Sequence, residues 1–176
     1  MFKILLEDDY VKNKDISCKA INKRIAIRGV IKCGNKLLMI KNNKGDYKFP
    51  GGGMEKGESI DETLCREVLE ESGYNVIGIG QKLGEVVQKS IDDIDNSKIF
   101  MMKSIYIECS VDFNNKKNQN LDNYEKEQEF TPILIDINEV IEKQEKLLEN
   151  YNDNCNDWIE RETIVLKLLR EYYSNN

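Results

Sequence analysis

Three glutamates in the middle of the chain are spaced to hold a divalent cation. Glu67, Glu70 and Glu71 are related by steps of three and four residues, so their side chains share one face of a helix. Carboxylates that crowd the edge of a buried surface repel one another and lose solvation, and a bound cation removes both penalties. For these three residues alone, a solvated acidic helix face is the alternative interpretation.

The helix that carries these glutamates has its own start and stop signals and is predicted over residues 59–72. Ser59 followed three residues later by Glu62 is a capping box, in which each residue satisfies an amide of the other. Gly73 supplies the left-handed conformation that ends many helices. An apolar residue at every fourth position predicts one buried stripe, formed by Ile60, Leu64 and Val68.

The glutamates belong to a longer pattern that runs from Gly52 to Tyr74. It reads Gly52, five residues, Glu58, seven residues, Arg66-Glu67-Val68, one residue, Glu70-Glu71, one residue, Gly73-Tyr74. With these identities at these spacings the chain resembles the Nudix hydrolases, whose signature is this box. Tyr74 departs from the aliphatic residue that is usual at its position. The complete register disfavours the interpretation as a merely solvated acidic face.

The resemblance implies a site for Mg²⁺ or Mn²⁺. Its ligands would be the Gly51 carbonyl, Glu67 and Glu71, with Glu70 binding directly or through water. Glu58 and Arg66 would pair across the loop and helix, and Arg66 would also hold Glu67; a bridge from Arg66 to Glu62 is the alternative. The residues themselves favour a hard cation, because carboxylates and carbonyls are oxygen donors. The chain has no histidine and no CxxC pair, which disfavours zinc.

The activity that the resemblance implies is hydrolysis of a pyrophosphate bond in a nucleoside diphosphate linked to another moiety. Glu67, Glu70 and Arg66 would be catalytic. The general base comes either from the box or from a distant loop, and Glu127 is our first choice over Glu125 and Glu129, with a solvated charge run as the alternative. Candidate phosphate contacts are Arg28, Lys41, Lys48, Gly52 and Gly53, and each cation has an exposed strand edge as its alternative role. Aromatic residues that could stack on a base, or simply fill the core, are Phe2, Tyr47, Tyr106 and Phe130.

Two other functions are compatible with such a box. A nucleotide-binding sensor without turnover is the main alternative, but such relatives usually lose box carboxylates and none is lost here. An isoprenoid diphosphate isomerase needs a reactive cysteine, and no cysteine of this chain lies in a context that favours that role. The box itself does not specify which nucleotide derivative is the substrate.

The composition of the chain limits the kinds of partner and the cellular location that we expect. A formal charge of −6 over 176 residues disfavours duplex nucleic acid as a partner, because such binding needs a basic surface, but it allows a small nucleotide. No apolar run approaches a membrane span, and the early acidic residues disfavour a signal peptide. The cysteines (Cys18, Cys33, Cys65, Cys109 and Cys155) are odd in number and widely spaced, which predicts reduced thiols and a cytoplasmic location. A homodimer is left open.

Outside the box, the pattern predicts more strands than helices and therefore an α+β fold. The expected strands are residues 2–6, 25–31, 36–40, a short one before Pro50, 76–87 with glycine bulges, 99–111 and 133–137. Polar loops are expected over 90–98 and 112–129, and further helices over 138–149 and 156–172. The resemblance implies one domain over residues 1–176: an α/β/α sandwich around a mixed sheet, with its core at about 23–150 and an extra C-terminal helix.

Overall fold

A computed structural model describes residues 1–13, 19–150 and 155–175; Cys18 lies outside these ranges. The strands are β1 (Phe2–Glu7), β2 (Ala20–Cys33), β3 (Lys36–Lys41), β4 (Tyr47–Lys48), β5 (Gly51–Gly53), β6 (Tyr74–Ile91), β7 (Lys98–Lys116) and β8 (Thr131–Asp136). The helices are α1 (Asp9–Asn13), α2 (Ile60–Ser72), α3 (Asn123–Glu127), α4 (Ile137–Glu149) and α5 (Trp158–Ser174). This α+β composition is the predicted one.

The eight strands form a mixed sheet whose main path is β1-β6-β7-β2-β3-β4. β1 pairs with β6 and β2 pairs with β7 in parallel, whereas β6 and β7 are antiparallel. β5 pairs with β2 on the edge opposite β7, and β8 pairs with β3. β2 is therefore the strand that connects the long mixed part of the sheet to the glycine strand.

Helices cover both faces of this sheet, as the sandwich prediction required. Along β2, Ile27 and Ile31 pack in one cluster with Leu64 and Val68 of α2. Val30 points to the other face, because successive strand side chains alternate, and packs in a second cluster under α4 and α5. α5 contributes Val165, Leu166 and Leu169 to that second cluster.

Most predicted elements are confirmed, with three corrections. The hairpin of β2 and β3 and the irregular register of β6 against β7 are as expected. The short strand was expected to end before Pro50, but residues Gly51–Gly53 also pair with β2 as a strand, because glycines let the backbone approach closely. The stretch 112–129 was expected to be a polar connection, yet β7 continues to Lys116 and α3 follows. Residues 9–13 form a short helix that was not predicted.

The C-terminal helix buries a charged pair beside its apolar residues. Arg161 and Glu162 are 1 % and 0 % exposed and pair with each other within α5. Val165 and Leu169 are buried as well, at 0 % and 1 % exposure. None of the helices in the described ranges combines the length and apolar character that a membrane crossing requires.

Candidate active site

Helix α2 begins and ends where its sequence signals predicted. The Ser59 hydroxyl accepts a hydrogen bond from the Glu62 amide at 3.2 Å, and the Glu62 carboxylate accepts one from the Ser59 amide at 2.8 Å. Gly73 has a φ of 77° and donates its amide to the carbonyl of Leu69. Both ends are thus fixed by local contacts, which sets the direction in which the acidic face points.

That face meets β5 and the sheet surface in a cleft of about 440 Å³. Four carboxylates line it: Glu67, Glu71, Asp122 and Glu125. Four cations line it: Arg24, Arg28, Lys48 and Arg161. The three glycines of β5 form one side, and Tyr124, Phe130 and Trp158 form another. Opposite charges therefore face each other across a small volume, as a site for a metal-bound anion requires.

Glu71 lies at the bottom of the cleft and is only 1 % exposed. Its carboxylate accepts a hydrogen bond from the Gly51 amide at 2.9 Å and pairs with the ammonium group of Lys48. Burial raises the pKa of Glu71 to about 7, although Lys48 acts in the opposite direction. The site therefore holds a desolvated carboxylate that depends on nearby positive charge.

Glu67 packs directly against the glycine strand. A Cβ atom on Gly52 would lie 2.3 Å from a carboxylate oxygen of Glu67, so only glycine leaves room for this side chain. Burial raises the pKa of Glu67, and the guanidinium of Arg66 opposes that shift. The second glycine of the strand thus forms a cradle for the first glutamate of the acidic face.

Arg66 connects the loop, the helix and the glycine strand. Its guanidinium donates to the Glu58 carboxylate at 2.6 and 2.8 Å, to Glu67 at 2.8 Å and to the Gly53 carbonyl at 3.1 Å. It also reaches Glu70 at 3.2 Å. Hydrogen bonds from this guanidinium lower the pKa of Glu58 to about 2.

Glu62 is the alternative partner that the sequence left open for Arg66. Among the described ion pairs Arg66 has none with Glu62, whose carboxylate binds Ser59. Among the described ion pairs, Arg66 therefore binds Glu58, Glu67 and Glu70, and not Glu62 one turn earlier in α2.

Arg28 approaches the glycine strand from β2. Its guanidinium is 7 % exposed and donates to the carbonyl of Gly51. Burial lowers its pKa, the neighbouring Arg161 lowers it further, and Glu162 opposes both. Within the described part of the chain its Nε has no hydrogen-bond partner. An anion in the cleft would satisfy this buried donor.

The structure brings together most of the residues singled out from the sequence, but not all. Gly51, Gly52, Gly53, Arg28, Lys48, Glu67 and Glu71 line the cleft. Glu70 lies beside it, held by Arg66. Lys41 is exposed on β3 near Asn43 and Glu129, away from the cleft. Glu127 is also exposed and outside the cleft lining, which instead contains Glu125.

Several cleft residues were not singled out from the sequence. Arg24 and Arg28 are four residues apart on β2, so their side chains point to the same face of the strand. The strand period could therefore have indicated Arg24 as a second candidate phosphate contact. Asp122 was not singled out, and Glu125 was named only as an alternative to Glu127 for the general base. The two residues form a second capping box, whose spacing is visible in the sequence but predicts only a helix start. Arg161 and Trp158 come from the C-terminal helix, and no local pattern connects them to the box.

The donor set fits a divalent cation, although the side chains do not form a ready-made cage. Over the ranges described, no three acidic or thiol side chains lie close enough to hold a metal as they stand, because Glu70 is turned to Arg66 and Glu71 to Lys48. The glycine cradle around Glu67 and the oxygen chemistry of Gly51, Glu67, Glu70 and Glu71 nevertheless suit Mg²⁺ or Mn²⁺.

Comparison with known proteins identifies a family and several similar proteins. The sequence model of the NUDIX domain matches residues 23–159. An ADP-ribose pyrophosphatase of Methanocaldococcus jannaschii is 45 % identical over 53 residues, which cover 28 % of this chain and 31 % of that protein. Nudix hydrolase 3 of Caenorhabditis elegans is 35 % identical over 57 residues, 31 % of this chain and 24 % of the relative. These matches span less than a third of either relative.

A solved structure described as an ADP compounds hydrolase superposes on the chain with a TM-score of 0.52 at 21 % identity. The superposition covers 86 % of this chain and 74 % of that one. At this level of identity the likeness concerns the fold alone.

Proposed function

Because the chain belongs to the NUDIX domain family, we propose that it is a Mg²⁺- or Mn²⁺-dependent hydrolase. It cleaves the pyrophosphate bond of a nucleoside diphosphate linked to another moiety by attack of water at phosphorus. The observation that carries this proposal is the meeting of Glu67 and Glu71, the glycine strand, and the cations Arg28 and Lys48 in one cleft. Residues 1–176 act as one domain in this proposal.

Nudix hydrolases generally use a divalent metal ion. In this chain Glu67, Glu71, Glu70 and the Gly51 carbonyl would hold it. When bound, such an ion neutralises charge on the pyrophosphate oxygens and lowers the pKa of bound water. The protein's part is to present these oxygens at the end of a helix whose caps and packing fix its position.

The phosphates are bound by cations on both sides of the glycine strand. Arg28 has a buried donor with no partner among the described residues, and Lys48 lies beside Glu71 at the bottom of the cleft. Gly52 and Gly53 let the backbone lie close to Glu67 and Arg24, because a Cβ atom at these positions would lie 2.3 and 2.6 Å from those side chains. Arg66 acts through Glu58 and Glu67, which it holds in position by hydrogen bonds.

For the general base we propose Glu125 in place of Glu127. Glu125 lines the cleft and its position is fixed, because one carboxylate oxygen accepts the Asp122 amide at 2.9 Å. Its other oxygen has no partner among the described residues and can accept a proton from water. Glu127 is exposed and outside the cleft lining.

The second candidate is a nucleotide sensor without turnover. Two contacts favour it: Lys48 already neutralises Glu71, and Arg28 already donates to the Gly51 carbonyl. A sensor would bind nucleotide in the cleft and leave it intact. The retained set of box glutamates favours the enzyme. In either case the partner is a small nucleotide, and the free cysteines of the described ranges fit the proposed cytoplasmic location.

The deciding experiment is a hydrolysis assay with Mg²⁺ and with Mn²⁺ on a nucleotide panel. The panel contains 8-oxo-dGTP, the common dNTPs, ADP-ribose, diadenosine polyphosphates, NADH, coenzyme A and nucleotide sugars. We expect metal-dependent release of a phosphorylated nucleotide product from at least one of them, and its loss in Glu67→Gln. Nucleotide binding without turnover on the whole panel would support the sensor instead.

A further inference from the structure

Three aromatic side chains from three separate segments meet at one side of the cleft. Tyr124 of α3, Phe130 before β8 and Trp158 at the start of α5 contact one another edge to face, with ring centroids 6.1 to 6.4 Å apart. Phe130 is buried at 3 % exposure, whereas Tyr124 is 46 % exposed. This aromatic wall, defined as Tyr124, Phe130 and Trp158, therefore presents ring surface to the cleft.

The aromatic wall is held by a buried network of polar side chains. The Trp158 indole donates to Asp46 at 2.8 Å, and Asp46 also accepts from Asn42 at 3.0 Å and from Asn156 at 2.7 Å. Gln128 bonds both amides, at 3.0 and 3.1 Å. All four of these polar side chains are at most 8 % exposed.

This network joins the loop after β3, the end of α3 and the residues before α5. It fixes the orientation of the Trp158 ring, against which Tyr124 and Phe130 pack. A cluster that served only to fill the core would not need a large ring left half exposed beside a charged cleft.

Lys48 connects the aromatic wall to the phosphate end of the site. Its ammonium lies 4.7 Å from the centre of the Phe130 ring and 5.9 Å from that of Trp158, and it pairs with Glu71. A ligand that places phosphates near Glu71 and Lys48 therefore has an aromatic surface within reach of its next chemical group. In a nucleotide, that next part is the nucleoside.

We propose that the aromatic wall is the nucleobase subsite, with the base stacked against Tyr124 and the edge of the wall near Trp158. This inference rests on the proposed function, in that it takes the phosphates to be bound beside Glu71. Base stacking tolerates different bases because each has a π face, so the aromatic wall selects for a base and not for one particular base.

The single tryptophan of the chain makes the subsite directly measurable. Fluorescence of Trp158, excited at the red edge of its absorption, is titrated with the nucleoside monophosphates AMP, GMP, CMP and UMP, and with ribose 5-phosphate as the base-free probe. We expect quenching by the nucleotides at concentrations at which ribose 5-phosphate gives none. Calorimetry measures the binding of the nucleotides and of ribose 5-phosphate in parallel, for the wild type and for the variants.

Two variants separate stacking from folding. Tyr124→Leu is expected to weaken nucleotide binding about fivefold or more and to leave ribose 5-phosphate binding within about twofold. Tyr172→Leu removes another partly exposed tyrosine, which lies in a different pocket, and is expected to change neither. Unchanged ribose 5-phosphate binding in Tyr124→Leu shows that the cleft is still folded.

The inference is overturned if nucleotides do not bind, if they bind no better than ribose 5-phosphate, or if Tyr124→Leu weakens both equally. It is also overturned if nucleotides bind without altering Trp158 fluorescence. The proposed function fails separately: nucleotides would still quench Trp158 in a protein that hydrolyses nothing on the panel.

Discussion

The ammonium group of Lys48 lies against the carboxylate of Glu71 at the bottom of the cleft, and their side chains are 9 % and 1 % exposed. A buried carboxylate is costly unless it is paired. Lys48 and the Gly51 amide provide that pairing without a metal ion. The two residues therefore connect the stability of the fold to the charge balance of the candidate site.

Metal binding is expected to stabilise the protein. The carboxylates of the acidic face are crowded and partly desolvated, so an added cation lowers the free energy of the folded state. At a free concentration 100-fold above the dissociation constant the gain is about 2.7 kcal/mol. Thermal melts in EDTA and in saturating Mg²⁺ or Mn²⁺ measure it. The double variant Glu67→Gln/Glu71→Gln is the control and should not respond; identical melts of the wild type would refute the metal site.

Lys48→Met is expected to make stability more dependent on metal. Breaking a buried ion pair on one side typically costs about 3–5 kcal/mol, so the metal-free variant should unfold more readily than the wild type. A metal ion can replace the lost positive charge at Glu71, so the rise in melting temperature on adding Mn²⁺ should be larger in the variant. Lys41→Met, on an exposed lysine outside the cleft, is the matched control. Equal metal-dependent shifts in Lys48→Met and wild type would contradict the prediction.

Glu67→Gln and Glu71→Gln are each expected to lower turnover about a hundredfold or more in protein that still folds. Glu71→Gln should also lower the stability, because it leaves the buried Lys48 without its partner. Each change keeps the side-chain shape and removes the charge that would hold a cation. Steady-state kinetics on the substrate identified by the panel, with circular dichroism as a check of folding, provide the measurement. Glu55→Gln changes an exposed glutamate at a position that the box pattern leaves unspecified, and it should be nearly silent. Near wild-type rates for both box variants would exclude the assignment.

Alanine substitutions at the neighbouring Gly51 and Gly52 are expected to have different effects. In Gly52→Ala the new Cβ meets the flexible end of Glu67, so we expect at least about a tenfold loss of activity with little loss of stability. In Gly51→Ala the Cβ would lie 2.0 Å from the carbonyl oxygen of Ile27 at a φ of 142°, so we expect about 2 kcal/mol or more of destabilisation. Chemical unfolding and kinetics on both variants test this difference. Equal losses of stability in the two variants would contradict the prediction.

Glu125→Gln is expected to lower turnover about a hundredfold without weakening Mn²⁺ binding, because a general base accepts a proton and need not hold the cation. Glu127→Gln is the matched control, because it makes the same change at an exposed glutamate of the same short helix outside the cleft lining. It should retain most activity. Kinetics combined with Mn²⁺ titration distinguish this outcome from the loss of a box ligand, which weakens both. The reverse result, with Glu127→Gln inactive and Glu125→Gln active, would restore the choice made from the sequence.

Local signals in the sequence were sufficient for the acidic helix and its box. The capping contacts of Ser59 and Glu62, the stop at Gly73 and the brace between Glu58 and Arg66 join residues at most eight positions apart. Over such distances the backbone geometry of a helix and its preceding loop leaves little freedom. Spacing alone therefore predicted the capping contacts of α2. The pairing of Glu58 with Arg66 was predicted only from the resemblance to the Nudix box, with Glu62 left open as the other partner of Arg66.

Which other segments complete the site was decided only by the tertiary structure. Trp158 bonds Asp46 across 112 positions, and Arg161 reaches the cleft from a helix that nothing in its own sequence connects to the box. Glu125 and Glu127 lie two residues apart in one charged run, yet only the first lines the cleft, because the packing of α3 turns one side of a short helix inward. Such contacts depend on how distant elements pack around a shared core, and no local period encodes that packing.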